Sequence, residues 1–317
     1  MPPFPNNENP RPTGFRAFGY ATEDGGNLRA LDEQLRAVVD GGFEYAELDS
    51  TAWEVWYSGR VNGTQLARWV DVLDRFRDRL SYTLHGPFDV NLFDWVERDL
   101  HARLLRSAIQ VARAVDADIY VYHPGRRLPM PTGAIRSMLE TMSLERAILG
   151  EIAEEVADTG CQVAVETWMP YDEYSYAVWP EQLAQQIEAI DHPSIGVCLD
   201  SGHLYLSAHW FGFDYLSAVE RLAPLVNHLH LQDLFAAYSP TGAGPLGKGD
   251  LHLPLGWGEI PFDAMFSRFA FPREPVFMVE ISPKFIAYTR EMMEECTRLA
   301  GLRDSVGDST VQDRPVA

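Results

Sequence analysis

Lysine is almost missing from this chain: Lys248 and Lys284 are the two it has, and every other basic residue is an arginine. Acidic residues outnumber basic ones by 46 to 26, for a formal charge of −20 at pH 7. That balance speaks against a broad basic face for nucleic acid or an anionic membrane. It still leaves room for a small anion held by a metal, because local charge can oppose the global field. Cysteine is equally sparse. Cys161, Cys198 and Cys296 form no CxxC pair, which argues against a disulfide framework and for a reducing, cytoplasmic setting. The opening MPPFPNNENPRP has no basic region leading into an apolar run and does not read as a signal peptide. No stretch approaches the roughly 20 apolar residues that a membrane span needs.

What is present is an alternation. Hydrophobic residues make up 46% of the 317-residue chain, ample for a sizeable core. Residues 1–12, rich in proline and asparagine, read as a flexible arm, 13–302 as one catalytic barrel domain, and 303–317 as a polar tail. Strand-like runs fall at 14–22, 43–48, 81–85, 119–123, 161–166, 195–200, 226–231 and 275–281. Helical patterns fall between and after them, at 27–40, 65–80, 97–115, 137–157, 180–190, 215–225, 262–269 and 285–299. The helix signal is apolar residues three and four apart, as in Leu28, Leu31, Leu35, Val38 and Val39 before the stop at Gly41-Gly42. Eight such units predict an α/β fold, a single (β/α)8 TIM barrel. The rival, a doubly wound open sheet, carries a glycine-rich phosphate turn after its first strand, and no GxGxxG stands there.

A barrel of this kind places its chemistry at the C-terminal ends of its strands. Six of the eight runs end in a side chain that binds metal or moves protons: His85, His123, Glu166, Asp200 (with His203 close behind), His230 and Glu280. The loop after the seventh run adds Asp250 and His252 in GDLHLPLGWGEI, two apart and so on one side of an extended chain. Singly, each has an ordinary reading. A His in HPG caps a loop, and a Glu at a strand end neutralises a helix N-terminus. Their recurrence at one end of so many strands argues for a shared site. Carboxylates and imidazoles converging without a lysine or arginine would repel one another, and divalent metal is the simplest remedy. Mixed histidine and carboxylate ligands suit zinc or manganese. His228 shares a strand face with His230 and is read as its support. Trp168 and Trp257 are candidate walls for a substrate ring, with plain packing as the alternative. Lys248, in GKGD, is a candidate contact for an anionic group, with an exposed turn as the alternative.

The segments HGPFDVNL, YHPG, VET, LDSGH, HLQD, DLHLPLGWGEI and VEIS, taken as a set, resemble the xylose isomerase-like barrel superfamily over residues 14–300. That superfamily holds endonuclease IV and many sugar or sugar-phosphate isomerases and epimerases. Resemblance to the epimerase branch implies that Glu166, Asp200, His230 and Glu280 hold one divalent metal, with Glu166 and Glu280 exchanging the proton. Resemblance to endonuclease IV implies that His85, His123, His203, Asp250 and His252 complete a cluster of three metals. Phe88 and Asn91 fit the endonuclease's third-strand loop. The chain departs from it where Glu166 runs into Thr167-Trp168-Met169-Pro170 and Asp233 into Leu234-Phe235-Ala236-Ala237.

The expectation is a cytoplasmic, metal-dependent isomerase or epimerase of a sugar, sugar phosphate or related polyol, with one to three manganese or zinc ions and a homo-oligomer left open. The alternative is an endonuclease IV-like phosphodiester hydrolase with three metals, acting on abasic DNA or a small phosphodiester. Nucleic acid is disfavoured, because cationic side chains to neutralise phosphates supply most nonspecific DNA affinity. A non-enzymatic accessory barrel would be expected to have lost ligands, and none is missing.

Overall fold

In the computed structural model, which describes residues 14–309 apart from 52–53, 58, 89, 127–136 and 171–174, eight parallel strands close into a barrel. The strands in chain order begin with β1 (Ala17–Thr22), β2 (Tyr45–Asp49) and a small antiparallel hairpin of β3 (Trp56–Tyr57) and β4 (Arg60–Val61). They continue with β5 (Ser81–His85), β6 (Ala117–Tyr122) and β7 (Gln162–Glu166). The last three are β8 (Ile195–Asp200), β9 (Val226–Leu231) and β10 (Val276–Val279). The hairpin stands outside the barrel, and β10 closes it against β1.

Nine helices cover the described part of the barrel: α1 (Leu28–Gly41), α2 (Gly63–Leu73), α3 (Arg98–Ala114), α4 (Met138–Ala157), α5 (Pro180–Ile190), α6 (Ser201–Phe211), α7 (Tyr215–Leu222), α8 (Phe262–Arg268) and α9 (Thr289–Ser309). Their starts follow local chemistry. The Asn27 side chain accepts the Arg29 and Ala30 amides at the head of α1, and Ser137 with Glu140 forms a reciprocal capping box on α4. Leu31, Leu35 and Val38 then bury one stripe of α1, each contributing about 1.5–3 kcal/mol of apolar burial.

Strand residues alternate between two cores. Tyr120, Tyr122, Val163, Val165, Val197, Leu199, Leu229 and Leu231 belong to the core shared with the helices. The residues between them, including Ile119, Val121, Ala164, Cys198 and Met278, form a separate cluster inside the barrel. Because the strand period is two, the next residue along each inner face is His123, Glu166, Asp200 or Glu280. On β9, His228 and His230 occupy that same face. The apolar inner layer is thus the floor on which the polar ends stand.

Several elements differ from the sequence expectation. Helix α2 stops at Leu73, and residues 74–79 turn more tightly, with the Phe76 amide donating to the Leu73 carbonyl; Phe76 stays buried, which is why its apolar spacing extended the pattern. The final segment begins as a 3-10 stretch (Pro283–Tyr288) before α9, which then runs to Ser309, into the region read as a tail. The β3–β4 hairpin and helix α6 were not anticipated. The arm expected at 1–12 lies outside the described residues, as do residues 310–317.

Candidate metal centre at the barrel mouth

Glu166 closes β7, Asp200 closes β8, His230 lies near the end of β9, and Glu280 follows β10. One donor atom from each of the four lies within 4.8 Å of the others. His230 is the hub. Its Nδ1 is 3.0 Å from Glu166 Oε1 and 3.2 Å from Glu280 Oε2. A second close set, His85, His123 and Glu166, meets the same limit and shares Glu166 with the first. His123 Nε2 sits 3.0 Å from Glu166 Oε2, and the His85 and His123 rings meet edge to face at 4.6 Å. Phe88 stacks on His123 from the solvent side at 4.3 Å.

The third group is looser. Asp250 Oδ2 is 3.2 Å from His252 Nε2 and 3.8 Å from His203 Nε2. Gln232 ties this group to the first, its Nε2 donating to Asp250 Oδ1 at 3.0 Å and to Asp200 Oδ2 at 3.3 Å, while its Oε1 accepts the His252 amide at 2.9 Å. His203 is oriented twice: its amide donates to Asp200 Oδ1 at 2.7 Å, which caps α6, and its Nδ1 faces the Thr167 carbonyl at 3.0 Å. The structure therefore brings together all nine ligand-type residues of the sequence reading, four of them in one tight set.

Burial sets opposing pulls on these groups. Desolvation raises Asp200 to about 7, with Glu280 and Glu166 adding to the rise against His203. For Glu280, burial is outweighed by the neighbouring His230 and His252, which hold it at about 2. Burial opposes charge on His230 too, but Cys198, Glu280 and Glu47 hold its pKa well above the usual imidazole value. His203 is likewise held high, against burial, by Asp200, Asp250 and Glu166. His252 reaches about 10, because Asp250 overcomes its desolvation. His123 goes the other way, since burial dominates its contact with Glu166.

The donor set fits a divalent cation. Among the described residues, Glu166 Oε2, Glu280 Oε2, both nitrogens of His123 and His230 Nε2 are buried polar atoms that make no geometrically sound hydrogen bond. Such atoms cost roughly 1–3 kcal/mol each when left unpaired, and more when charged. Glu166 Oε2, Glu280 Oε2 and His123 Nε2 lie on the side of the donor set, where a cation would satisfy several of them at once, whereas His230 Nε2 faces Glu47. A cavity of about 380 Å³ opens beside them, its wall including Glu47, Asp49, His85, Phe88, His252 and Glu280.

Three candidate residues stand apart from the cluster. Trp168 is buried behind the site, its ring edge-on to His123 at 5.1 Å and to His203 at 6.0 Å, and it is not part of the cavity wall. Trp257 is half-exposed and packs edge-on with Phe285 and Tyr288. Lys248 is exposed in its turn, away from that wall. The sequence reading missed Glu47. It lies inside β2, where Tyr45, Glu47 and Asp49 share the inner face, and its two oxygens face His230 Nε2 at 2.8 Å and His228 Nε2 at 2.9 Å. The first of these pairs is close but misaligned for a hydrogen bond, so both atoms also rank among the unpaired. The signal was the alternation in YAELD, which a strand ending at Leu48 concealed.

A family model described as a xylose isomerase-like TIM barrel matches residues 35–296. Among curated proteins, the chain is 25% identical over 241 residues to the uncharacterized protein MJ1311 of Methanocaldococcus jannaschii, covering 74% of this chain and 75% of that protein. It is 24% identical over 197 residues to a probable endonuclease 4 of Mesomycoplasma hyopneumoniae (strain 7448), covering 58% of this chain and 65% of that protein. Among solved structures, a D-tagatose 3-epimerase-like protein superposes with a TM-score of 0.70 at 20% identity, covering 92% of this chain and 99% of that one. The IOLI protein with a bound zinc atom superposes at 0.60 with 15% identity, covering 91% and 98%.

Proposed function

The chain belongs to the xylose isomerase-like TIM barrel family, and from that premise we propose that it is a metal-dependent isomerase or epimerase of a sugar, sugar phosphate or related polyol. The observation that carries this reading is the tight set of Glu166, Asp200, His230 and Glu280 beside a cavity of about 380 Å³ whose wall Glu280 helps to form. These four residues would hold one divalent ion, manganese or zinc. When bound, it supplies Lewis-acid polarisation of a carbonyl and its neighbouring hydroxyl, acidifying the C–H between them.

The protein's own groups do the rest. Glu166 and Glu280 come from β7 and from the end of β10 and meet at His230 Nδ1, so a substrate bound at the metal would have two carboxylates within reach. One removes the proton from the carbon beside the carbonyl, and the other returns it. Glu280 is part of the cavity wall and Glu166 is buried away from it, which supports Glu280 as the carboxylate nearer the opening. His203, fixed by the Thr167 carbonyl and the Asp200 carboxylate, would hydrogen-bond a substrate hydroxyl. Trp257 and Lys248 are not part of the cavity wall, so they would serve as an aromatic surface and an anion contact only for a substrate that extends beyond it. Among the described residues no helix is long and apolar enough to cross a membrane.

A second reading has its own support. His85 and His123 form a second donor set around Glu166, and the chain is similar to a probable endonuclease 4. Several ions there would suit phosphodiester hydrolysis, in which clustered cations stabilise both attacking and leaving oxygens. The charge of −20 turns this reading away from DNA and toward a small phosphodiester.

Exchange of carbon-bound protons separates the two. Metal-loaded protein incubated with a panel of ketoses in deuterium oxide should wash out one C–H beside the carbonyl of its substrate, followed by NMR. No exchange with any ketose would count against proton transfer. Hydrolysis of a small phosphodiester such as bis(p-nitrophenyl) phosphate would favour the second reading, with nicking of depurinated plasmid extending it to DNA.

A further inference from the structure

The four-residue set leaves Glu47 unexplained. Its side chain is buried in the barrel interior at the wall of the cavity, and its Oε2 accepts the Thr83 hydroxyl at 2.9 Å and faces His228 Nε2 at 2.9 Å. Its Oε1 lies 2.8 Å from His230 Nε2. The other nitrogen of that ring, Nδ1, points the opposite way, toward Glu166 and Glu280. His230 is therefore strung between the donor set on one side and a single buried carboxylate on the other.

We propose that Glu47 is the positioning residue of the metal centre: by receiving Nε2–H of His230 it fixes the tautomer that leaves the Nδ1 lone pair to the cation. This rests on the metal-centre reading above. A neutral imidazole has one N–H and one lone pair, and which nitrogen carries the proton is decided by its partners. Both ring nitrogens face carboxylates, which only accept. A cation held by Glu166 and Glu280 would take the Nδ1 lone pair, so the proton of the neutral ring would then sit on Nε2, 2.8 Å from Glu47 Oε1. Histidines that bind metal commonly give their second N–H to such a carboxylate, and loss of that partner weakens metal binding about 10–100-fold.

Glu47 is itself held in place. Thr83, one strand over in register with it, and His228, on the same inner face of β9 as His230, both lie against Oε2. That leaves Oε1 for His230. Two oxygens serve three polar partners, and a glutamine could offer only one accepting oxygen to the same three. Its NH2 would face a nitrogen of His228 or His230 and demand a lone pair there. The competing account is that Glu47 only balances charge among buried histidines. That account predicts lower stability on substitution but an unchanged metal affinity in the molecules that fold.

The test uses the full chain. Zinc affinity is measured by chelator competition for the wild type, Glu47→Gln and Glu47→Leu, with circular dichroism to establish folding. Nitrogen-15 histidine NMR of the zinc-loaded proteins reports which ring nitrogen of His230 carries the proton. The expected result is about a 10–100-fold loss of affinity in the folded variants, with His230 protonated on Nε2 in the wild type and mixed in the variants. Wild-type affinity in both folded variants would overturn the proposal. So would zinc on Nε2 of His230 in the wild type, a result that stands even if neither variant folds. A wild type that binds no zinc or manganese would instead overturn the metal-centre reading beneath it.

Discussion

His230, His203 and His252 all keep their protons more tightly than an ordinary imidazole, because carboxylates surround them. Asp200, raised to about 7, is half-protonated near neutrality. A cation entering the site must displace whichever of these protons sit on its ligands. The sign follows directly. Raised pKa values mean protons are still bound at neutral pH, so metal affinity should rise as pH increases. Each displaced proton changes apparent affinity about tenfold per pH unit, so affinity should gain at least that factor between about pH 6 and pH 8. Titration calorimetry in two buffers of different ionisation heat should register the released protons, and a pH-independent affinity would contradict the charge pattern. At this scale the sequence was informative where a polar residue ended an apolar run. Glu166, Asp200 and Glu280 announced themselves in that way. Glu47 did not, because it lies within its strand and needs the register of β2 against β5 to reveal what it faces.

Between residues and the whole barrel, the loop after β9 is the element most dependent on one side chain. Asp233 accepts the amides of Leu234 and Ile260 on Oδ1 and of Gly256 and Gly258 on Oδ2. It also pairs with Leu253 through two backbone hydrogen bonds of 2.9 Å. Gly258 packs so closely on the Leu234 backbone that a Cβ there would lie 2.3 Å from its carbonyl oxygen. The same loop delivers Asp250 and His252 to the site. Asp233→Ala should therefore lose at least one charge-assisted hydrogen bond's worth of stability, about 1.5–3 kcal/mol. Amide hydrogen exchange at Gly256, Gly258 and Ile260 should accelerate together, while unchanged protection would show that the backbone holds the loop alone. Legibility at this scale tracks amphipathicity. Helix α1 shows one apolar stripe and was read correctly, whereas α6, SGHLYLSAHWF, is buried continuously from Ser201 to Ala208. A helix buried on all sides has no stripe to find. It also starts directly at the end of β8, where its cap, Asp200, reads as a strand terminus. The β3–β4 hairpin, two residues per strand, is too short to show any period.

At the scale of the molecule, the barrel was legible because eight strand runs recur with helical patterns between them, and because period-two alternation puts every strand-end ligand on the inner face. How many ions one chain holds was not legible, since nine ligand-type residues satisfy more than one arrangement. The structure grades them. Four form a tight set, two more share Glu166, and His203, Asp250 and His252 are spread more widely. The most direct measurement is elemental analysis of the purified, metal-loaded chain beside Asp200→Ala and His203→Ala. Asp200 also caps α6, so its loss costs about 1 kcal/mol, and folding is verified first. Proton transfer at one centre predicts a single ion in the wild type, none in Asp200→Ala, and an undiminished ion in His203→Ala with weakened turnover. Three ions in the wild type, with metal lost equally from both variants, would contradict it.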